Sequence, residues 1–242
     1  MHPRLIFTGP TLSHSEVRKI VPEAICLPPA AQGDIVAAVQ RYQPSAIAII
    51  DGTFQSQPAV RHKEILWAIS RGIPVIGAAS MGALRAAELY PHMHGAGLIY
   101  RYYRRFAFTR DDAVAVLHGP AEVNFAALTH AQIDLSRTIS KAYRARLISG
   151  EDRGRLESSA QSLNFRERTL QRIIHDAFPH LDSVAIERCF QMLTSQFVQQ
   201  KKSDAVAALE LLRDEAFTAQ APPDFKLTAA FAKDLEEAGL AI

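Results

Sequence analysis

Residues 46–50, Ala-Ile-Ala-Ile-Ile, form an unbroken apolar run that stops at Asp51-Gly52. A strand with one wet face alternates polar and apolar residues. A run apolar at every position is buried on both faces, as in the centre of a parallel sheet with helices on either side. The flanking sequence supplies the other layers. Leu5-Ile6-Phe7 ahead of Thr8-Gly9-Pro10, Ala24–Leu27 ahead of Pro28-Pro29, and Pro74–Ala78 read as further short strands. Amphipathic stretches separate them. Ser13 and Glu16 have the spacing of a capping box and open a helix towards Ile20. Ile35, Val36 and Val39 follow Asp34, and Pro44 ends that helix. His62, Ile65, Leu66 and Ile69 lie on one face of a helix from about Val60 to Ser70, closed by Gly72. A fourth helix runs from Met81 to Leu89, before Pro91. Strand–helix alternation predicts an α/β fold with a mostly parallel sheet core and flanking helices.

Beyond residue 92 the pattern changes. Tyr100 to Phe108 mixes aromatics with arginines and reads as a pairing ribbon. From about Leu128 onward the pattern is helical, with breaks at Gly150, Gly154 and Phe178-Pro179 and four or five helices expected. The expected organisation is an α/β core over residues 1–140 carrying the site, followed by an α-helical C-terminal extension, 141–242, packed on the core or binding a partner. Two cysteines, Cys26 and Cys189, in 242 residues indicate a reducing compartment. No run nears the roughly 18 apolar residues of a membrane helix, and Met1-His2-Pro3-Arg4 leads into only three apolar residues, so no signal peptide is expected. The expectation is a soluble cytoplasmic protein with no membrane association. A net charge of +2 argues against a dedicated nucleic-acid binder. That value conceals a basic middle: residues 101–172 hold 13 Lys/Arg against 8 Asp/Glu. A solvated surface of mixed charge is the first reading and a dock for an acidic partner the second.

In an open parallel sheet, ligands bind where strands end and helix N-termini point. That rule selects Gly9-Pro10-Thr11, Asp51-Gly52-Thr53 and Ala78-Ala79-Ser80-Met81-Gly82. Ala78-x-Ser80-x-Gly82 is the nucleophile-elbow pattern with alanine in its first position. On spacing alone, a helix N-cap at Ser80 comes first and a nucleophile second. A nucleophilic serine needs a base. Lys63, in the first turn of the third helix, is pushed towards its neutral form by the helix dipole and by partial burial. His62 competes as a base that titrates near neutrality, although its spacing places it on the apolar face. Asp51 orients either base or caps a loop. The histidines have no metal-site spacing, and neither a P-loop nor a Gly-x-Gly-x-x-Gly is present, so no metal and no cofactor are expected. The arginine–aromatic stretch reads first as a protein-docking surface and second as a stacking platform for single-stranded nucleic acid.

At these residues the sequence resembles the TfuA-like proteins, which accompany YcaO enzymes in peptide-backbone thioamidation. The resemblance rests on ordered blocks over residues 5 to 140. They include Phe7–Leu12, Leu27–Asp34, Ile49–Phe54, His62–Ile69, Gly77–Leu89, Asp111–Val116 and His118–Glu122. It implies a hydrolase that releases sulfide from a thiocarboxylated, ubiquitin-like (ThiS-like) sulfur carrier and delivers it to the YcaO partner, which holds the precursor peptide. It implies a Ser–Lys pair at Ser80 and Lys63, preferring Lys63 to His62. Under that reading the amides of Met81 and Gly82 form the oxyanion site. Thr11, Asp51, Gly52, His62 and Arg85 support it or hold substrate, with an Arg85–Glu88 pair as the plain alternative. The other function to weigh is a non-catalytic adaptor that recruits peptide to the YcaO enzyme. A third is a small-molecule binding domain with its pocket at Asp51 and Thr11.

Overall fold

The computed structural model of the chain describes residues 2–55, 57–106, 109–215 and 222–242. Five strands, β1 (Arg4–Phe7), β2 (Ile25–Leu27), β3 (Ala46–Ile49), β4 (Val75–Gly77) and β5 (His94–Gly95), form one sheet in the order β2-β1-β3-β4-β5. Every pairing is parallel. This is the 2-1-3-4-5 order of flavodoxin-type doubly wound sheets, in which the strand order reverses between β1 and β3. As its composition requires, β3 is buried at all four positions.

Five helices intervene or follow: α1 (His14–Ile20), α2 (Asp34–Tyr42), α3 (His62–Ser70), α4 (Met81–Glu88) and α5 (Gly97–Arg105). The capping box at α1 is formed: Ser13 accepts from the Glu16 amide and the Glu16 carboxylate accepts from the Ser13 amide. Among the described residues six more helices lie in the C-terminal half: α6 (Gln132–Arg144), α7 (Gly150–Ser162), α8 (Leu170–Ala177), α9 (Ser183–Ser195), α10 (Gln200–Arg213) and α11 (Ala229–Glu237). Two of the expected breaks fall at helix boundaries: Gly150 is the first residue of α7, which Ser149 caps by accepting from the Asp152 amide, and α8 stops before Phe178-Pro179. Gly154 lies inside α7 and does not break it. Among the described residues, no helix is long and apolar enough to cross a membrane.

The ribbon expected at Tyr100–Phe108 is instead helix α5, and residues 107 and 108 lie outside the described residues. Ile99 and Tyr103, four apart, are its buried positions, so a helical period underlies what reads as alternation. Its first turn is completed from far away. Asp204 accepts from the Ile99 amide at 2.7 Å, and Gly97, at φ +88°, leaves room that a Cβ would take from the Asp204 side chain.

The chain gathers into two compact units, residues 1–109 with 202–242, and residues 110–201. In the first unit, Ala205, Ala208, Leu209 and Leu212 of α10 share a core with Val17 of α1 and with Ile6, Ala48 and Ile76 of the sheet. A helix from the end of the chain thus covers one sheet face. In the second unit, Leu135, Ile139, Leu156, Ile173, Ile174 and Leu193 form the core of α6–α9. Arg168, wholly buried, pairs there with Asp112 at 3.0 Å and donates to the Leu163 carbonyl.

Candidate active site

The strand order puts the switch point at the carboxyl ends of β1 and β3, beside β4, and two loops at that edge are built very differently. At the β1/β3 reversal, Asp51 is only 1% exposed. Its Oδ2 accepts from the Gly9 amide at 2.9 Å and the Thr11 amide at 3.0 Å, while Oδ1 accepts from Thr11 Oγ1 at 2.6 Å. A buried carboxylate must be hydrogen-bonded, and this one clasps the loop after β1 to the end of β3. The small-molecule reading therefore loses its two polar groups to each other. Gly52 follows because nothing larger fits: a Cβ would lie 2.7 Å from Met81 Cγ and 3.0 Å from the Ala30 carbonyl.

The turn after β4 carries Ser80. The Ser80 amide donates to the Ala78 carbonyl at 2.7 Å, closing a three-residue turn around Ala79, whose φ is +66°. Such γ-turns are rare and strained, and an L-residue in this region costs about 1–2 kcal/mol. The pivot is Ala79, one residue before the serine. Ser80 occupies the N-cap position of α4 with φ −128° and ψ −126°, but its side chain makes no capping hydrogen bond. The hydroxyl thus does not do what the cap reading requires. Ser80 is 8% exposed.

Two glycines let α4 approach the sheet this closely. A Cβ on Gly82 would lie 1.7 Å from the Ile49 carbonyl oxygen, and one on Gly77 would lie 2.1 Å from the Gly82 carbonyl oxygen. The approach occupies one of the two expected oxyanion donors, since the Gly82 amide donates to Ile50 O at 3.3 Å. Among the described residues the Met81 amide, at the first position of the helix, has no hydrogen-bond partner.

The residues at the start of α3 separate. His62 is exposed, not on the apolar face, because it is the first helical residue and stands clear of the core. Its Nε2 lies 2.7 Å from Glu88 Oε2. Arg85 donates to the same oxygen at 2.6 Å and through Nε to the Val60 carbonyl at 2.9 Å, so the plain alternative for Arg85 is what forms. Burial pushes the Glu88 carboxyl up, but the hydrogen bonds from His62 and Arg85 outweigh it and hold the carboxyl below its usual value. Lys63 is half-buried, and its Nζ donates to the Lys226 carbonyl at 3.4 Å and lies 5.6 Å from the centre of the Phe225 ring. Its described contacts are with this distant segment, not with Ser80.

Sequence reasoning missed Glu64. The residue is 1% exposed and accepts from the Arg61 amide at 2.6 Å, the Ile35 amide at 3.0 Å and the Gly33 amide at 3.2 Å. One carboxylate thereby satisfies the N-termini of both α2 and α3. Burial raises its pKa to about 7 against the lowering effect of those three bonds. The available signal was a glutamate at the third position of a helix, the place that reaches back to the N-terminus. It pointed to Arg61 and carried nothing about α2. Among the described residues no group of three His, Cys, Asp or Glu side chains is arranged to hold a metal ion.

A doubly wound α/β domain with a serine on a strained strand-to-helix turn is the class of protein these features define. Residues 51–169 match the model of the TfuA-like protein family, and the chain belongs to that family, which is associated with YcaO-dependent thioamidation. The match spans Asp51, Gly52, His62, Lys63, Ser80, Met81, Gly82 and Arg85, begins after Thr11 and extends past residue 140. No curated protein matches the chain.

Proposed function

We propose that this protein is an accessory hydrolase of peptide-backbone thioamidation, cleaving a thiocarboxylated, ubiquitin-like sulfur carrier to deliver sulfide to a YcaO enzyme. The observation that carries the proposal is Ser80, placed by a strained turn at the end of β4 and the start of α4 without capping that helix. Ser80 Oγ attacks the carbonyl carbon of the thiocarboxylate, and Lys63 in its neutral form takes the hydroxyl proton. The oxyanion forms beside the helix N-terminus, where the unpartnered Met81 amide is the available donor and Gly82 is the lesser one. The C–S bond then breaks, the proton passes from Lys63 to sulfur, and hydrosulfide leaves. Water cleaves the resulting serine ester to a carrier carboxylate. For this step Lys63 must leave Lys226 and Phe225 and reach Ser80.

The test is incubation with a thiocarboxylated carrier, reading sulfide and carrier mass. Wild-type protein releases sulfide and leaves carrier 16 mass units lighter in proportion, about the difference between sulfur and oxygen. Ser80→Ala and Lys63→Ala each reduce that release by about a thousandfold or more. Release at the wild-type rate by either variant removes that residue from the mechanism.

The contacts of Lys63 with residues 225 and 226 favour one second reading, a non-catalytic adaptor that recruits precursor peptide to the YcaO enzyme. It predicts that Ser80→Ala leaves thioamidation by the complex unchanged when sulfide is supplied directly, and that wild-type protein alone releases none.

A further inference from the structure

The outer face of α5 concentrates cations and aromatic rings that stay exposed. Arg101, Arg104 and Arg105 stand at i, i+3 and i+4 and are all exposed. Among the described residues none of the three has an acidic partner, and the first turn of α5 contains no acid. Beside them Tyr90 is 56% exposed, Tyr102 44% and Phe106 49%. The core-facing positions of the helix, Ile99 and Tyr103, are buried, and this outer face lies outside that core.

The rings are already ordered. The Arg104 guanidinium lies 3.8 Å from the centre of the Tyr90 ring, the Tyr102 and Phe106 rings are 4.9 Å apart at 51°, and Arg105 lies 5.6 Å from the Phe106 ring. Each stack holds a long side chain in one place, which lowers the entropy cost of binding. Arginine, tyrosine and phenylalanine are the residues enriched in binding hot spots and interface cores.

We infer that this face of α5, with Tyr90, docks an acidic peptide segment that carries apolar residues between its carboxylates. Charge complementarity selects the sign of the partner, because three exposed guanidiniums lie on this face with no carboxylate paired to them among the described residues. Spacing selects its form. Side chains three or four apart on a helix are about 5–6 Å apart, and alternate residues of an extended chain are about 6.5–7 Å apart. Successive carboxylates of such a segment can each meet one arginine while the intervening apolar side chains cover Tyr102 and Phe106. A single-stranded nucleic acid offers the same charge but needs open ring faces for its bases. Here Tyr90 is covered by Arg104, and Phe106 is engaged by both Tyr102 and Arg105. The inference does not depend on Ser80 or on sulfide release.

The experiment is fluorescence anisotropy of the full chain with a labelled peptide of alternating glutamate and leucine, at low and at physiological salt. A lysine–leucine peptide and a thymidine oligonucleotide serve as comparison probes. Saturable binding of the glutamate–leucine peptide alone is the expected result. Combining Arg101→Glu, Arg104→Glu and Arg105→Glu weakens it by about a hundredfold. Tyr102→Ser with Phe106→Ser weakens it by about tenfold while leaving its salt dependence intact. As surface changes, both variants keep the wild-type circular dichroism and melting temperature, which separates lost docking from lost folding. Arg144→Glu with Arg155→Glu, on the other compact unit, leaves binding unchanged. Absent or unsaturable peptide binding, equal loss with the Arg144 and Arg155 variant, or tighter binding of the oligonucleotide than of the peptide overturns the inference.

Discussion

The two loops flanking the end of β3 meet the same requirement, a chain reversal at the carboxyl edge of a parallel sheet, by opposite means. After β1, polar groups of Thr8, Gly9 and Thr11 converge on the Asp51 carboxylate, and the loop is held by hydrogen bonds. After β4, the turn is tightened around an alanine at φ +66°, and close packing through Gly77 and Gly82 holds it against that strain. In doubly wound sheets the crevice at the strand reversal is where ligands bind. Here that position is occupied by the protein's own carboxylate, and the serine sits one strand further along. Strained backbone persists only where surrounding structure enforces it, so the contrast separates a loop held by hydrogen bonds from one held under strain, and the proposed nucleophile lies on the second.

The largest expected effect comes from breaking the packing under the strained turn. Gly82→Ala places a methyl group 1.7 Å from a carbonyl oxygen, and urea unfolding should register a loss of about 3 kcal/mol or more. Gly72→Ala is the comparison. Its Cβ meets nothing, though its φ of +79° makes any side chain strained, and the loss should stay near 1–2 kcal/mol. On the other loop, Asp51→Asn keeps the shape but replaces one accepting oxygen with a donor that faces N–H and O–H groups. A cost of about 2–3 kcal/mol is expected, with faster proteolysis at residues 8–12.

Glu64 gives a pH signature distinct from either loop. Its folded pKa, about 7, lies above the ordinary 4.5 of a glutamate. The folded state therefore holds more protons between those values. Stability contributed by the neutral form is full below about pH 4.5, falls as pH rises, and levels off above about 7. The fall is at most about 3.5 kcal/mol, and Glu64→Gln should flatten the profile over that window. Glu16 shifts the other way, to about 2, chiefly through its hydrogen bond with Lys202 at 2.5 Å. Its contribution is present above about pH 4.5 and is lost as pH falls towards 2. That pair is partly exposed, so Lys202→Met should cost under about 1 kcal/mol, the smallest of these effects.

What was legible in the sequence follows the range of the interactions. The buried run at Ala46–Ile50, the capping box at Ser13 and Glu16, and the small residues around Ser80 act locally, and each appears where the pattern places it. Asp51 was visible as a strand-end carboxylate, but its partners Gly9 and Thr11, some forty residues earlier, were not. The errors are non-local as well. The first turn of α5 is completed by Asp204, and Lys63 is held by residues 225 and 226, so neither the helix nor the lysine's contacts can be read from neighbours in sequence. His62 fits a helical stripe by spacing, yet as the first residue of α3 it lies beyond the core that the stripe covers.

Capture of the covalent intermediate bears most directly on the central claim, that Ser80 is a nucleophile and not a helix cap. Wild-type protein is mixed with thiocarboxylated carrier, quenched in acid within the first turnover, digested, and mapped by mass spectrometry. An ester joining the carrier's C-terminal acyl group to Ser80, absent from Ser80→Ala, is the predicted result. Sulfide release at the wild-type rate by Ser80→Ala, with no acylated serine in either protein, would contradict it.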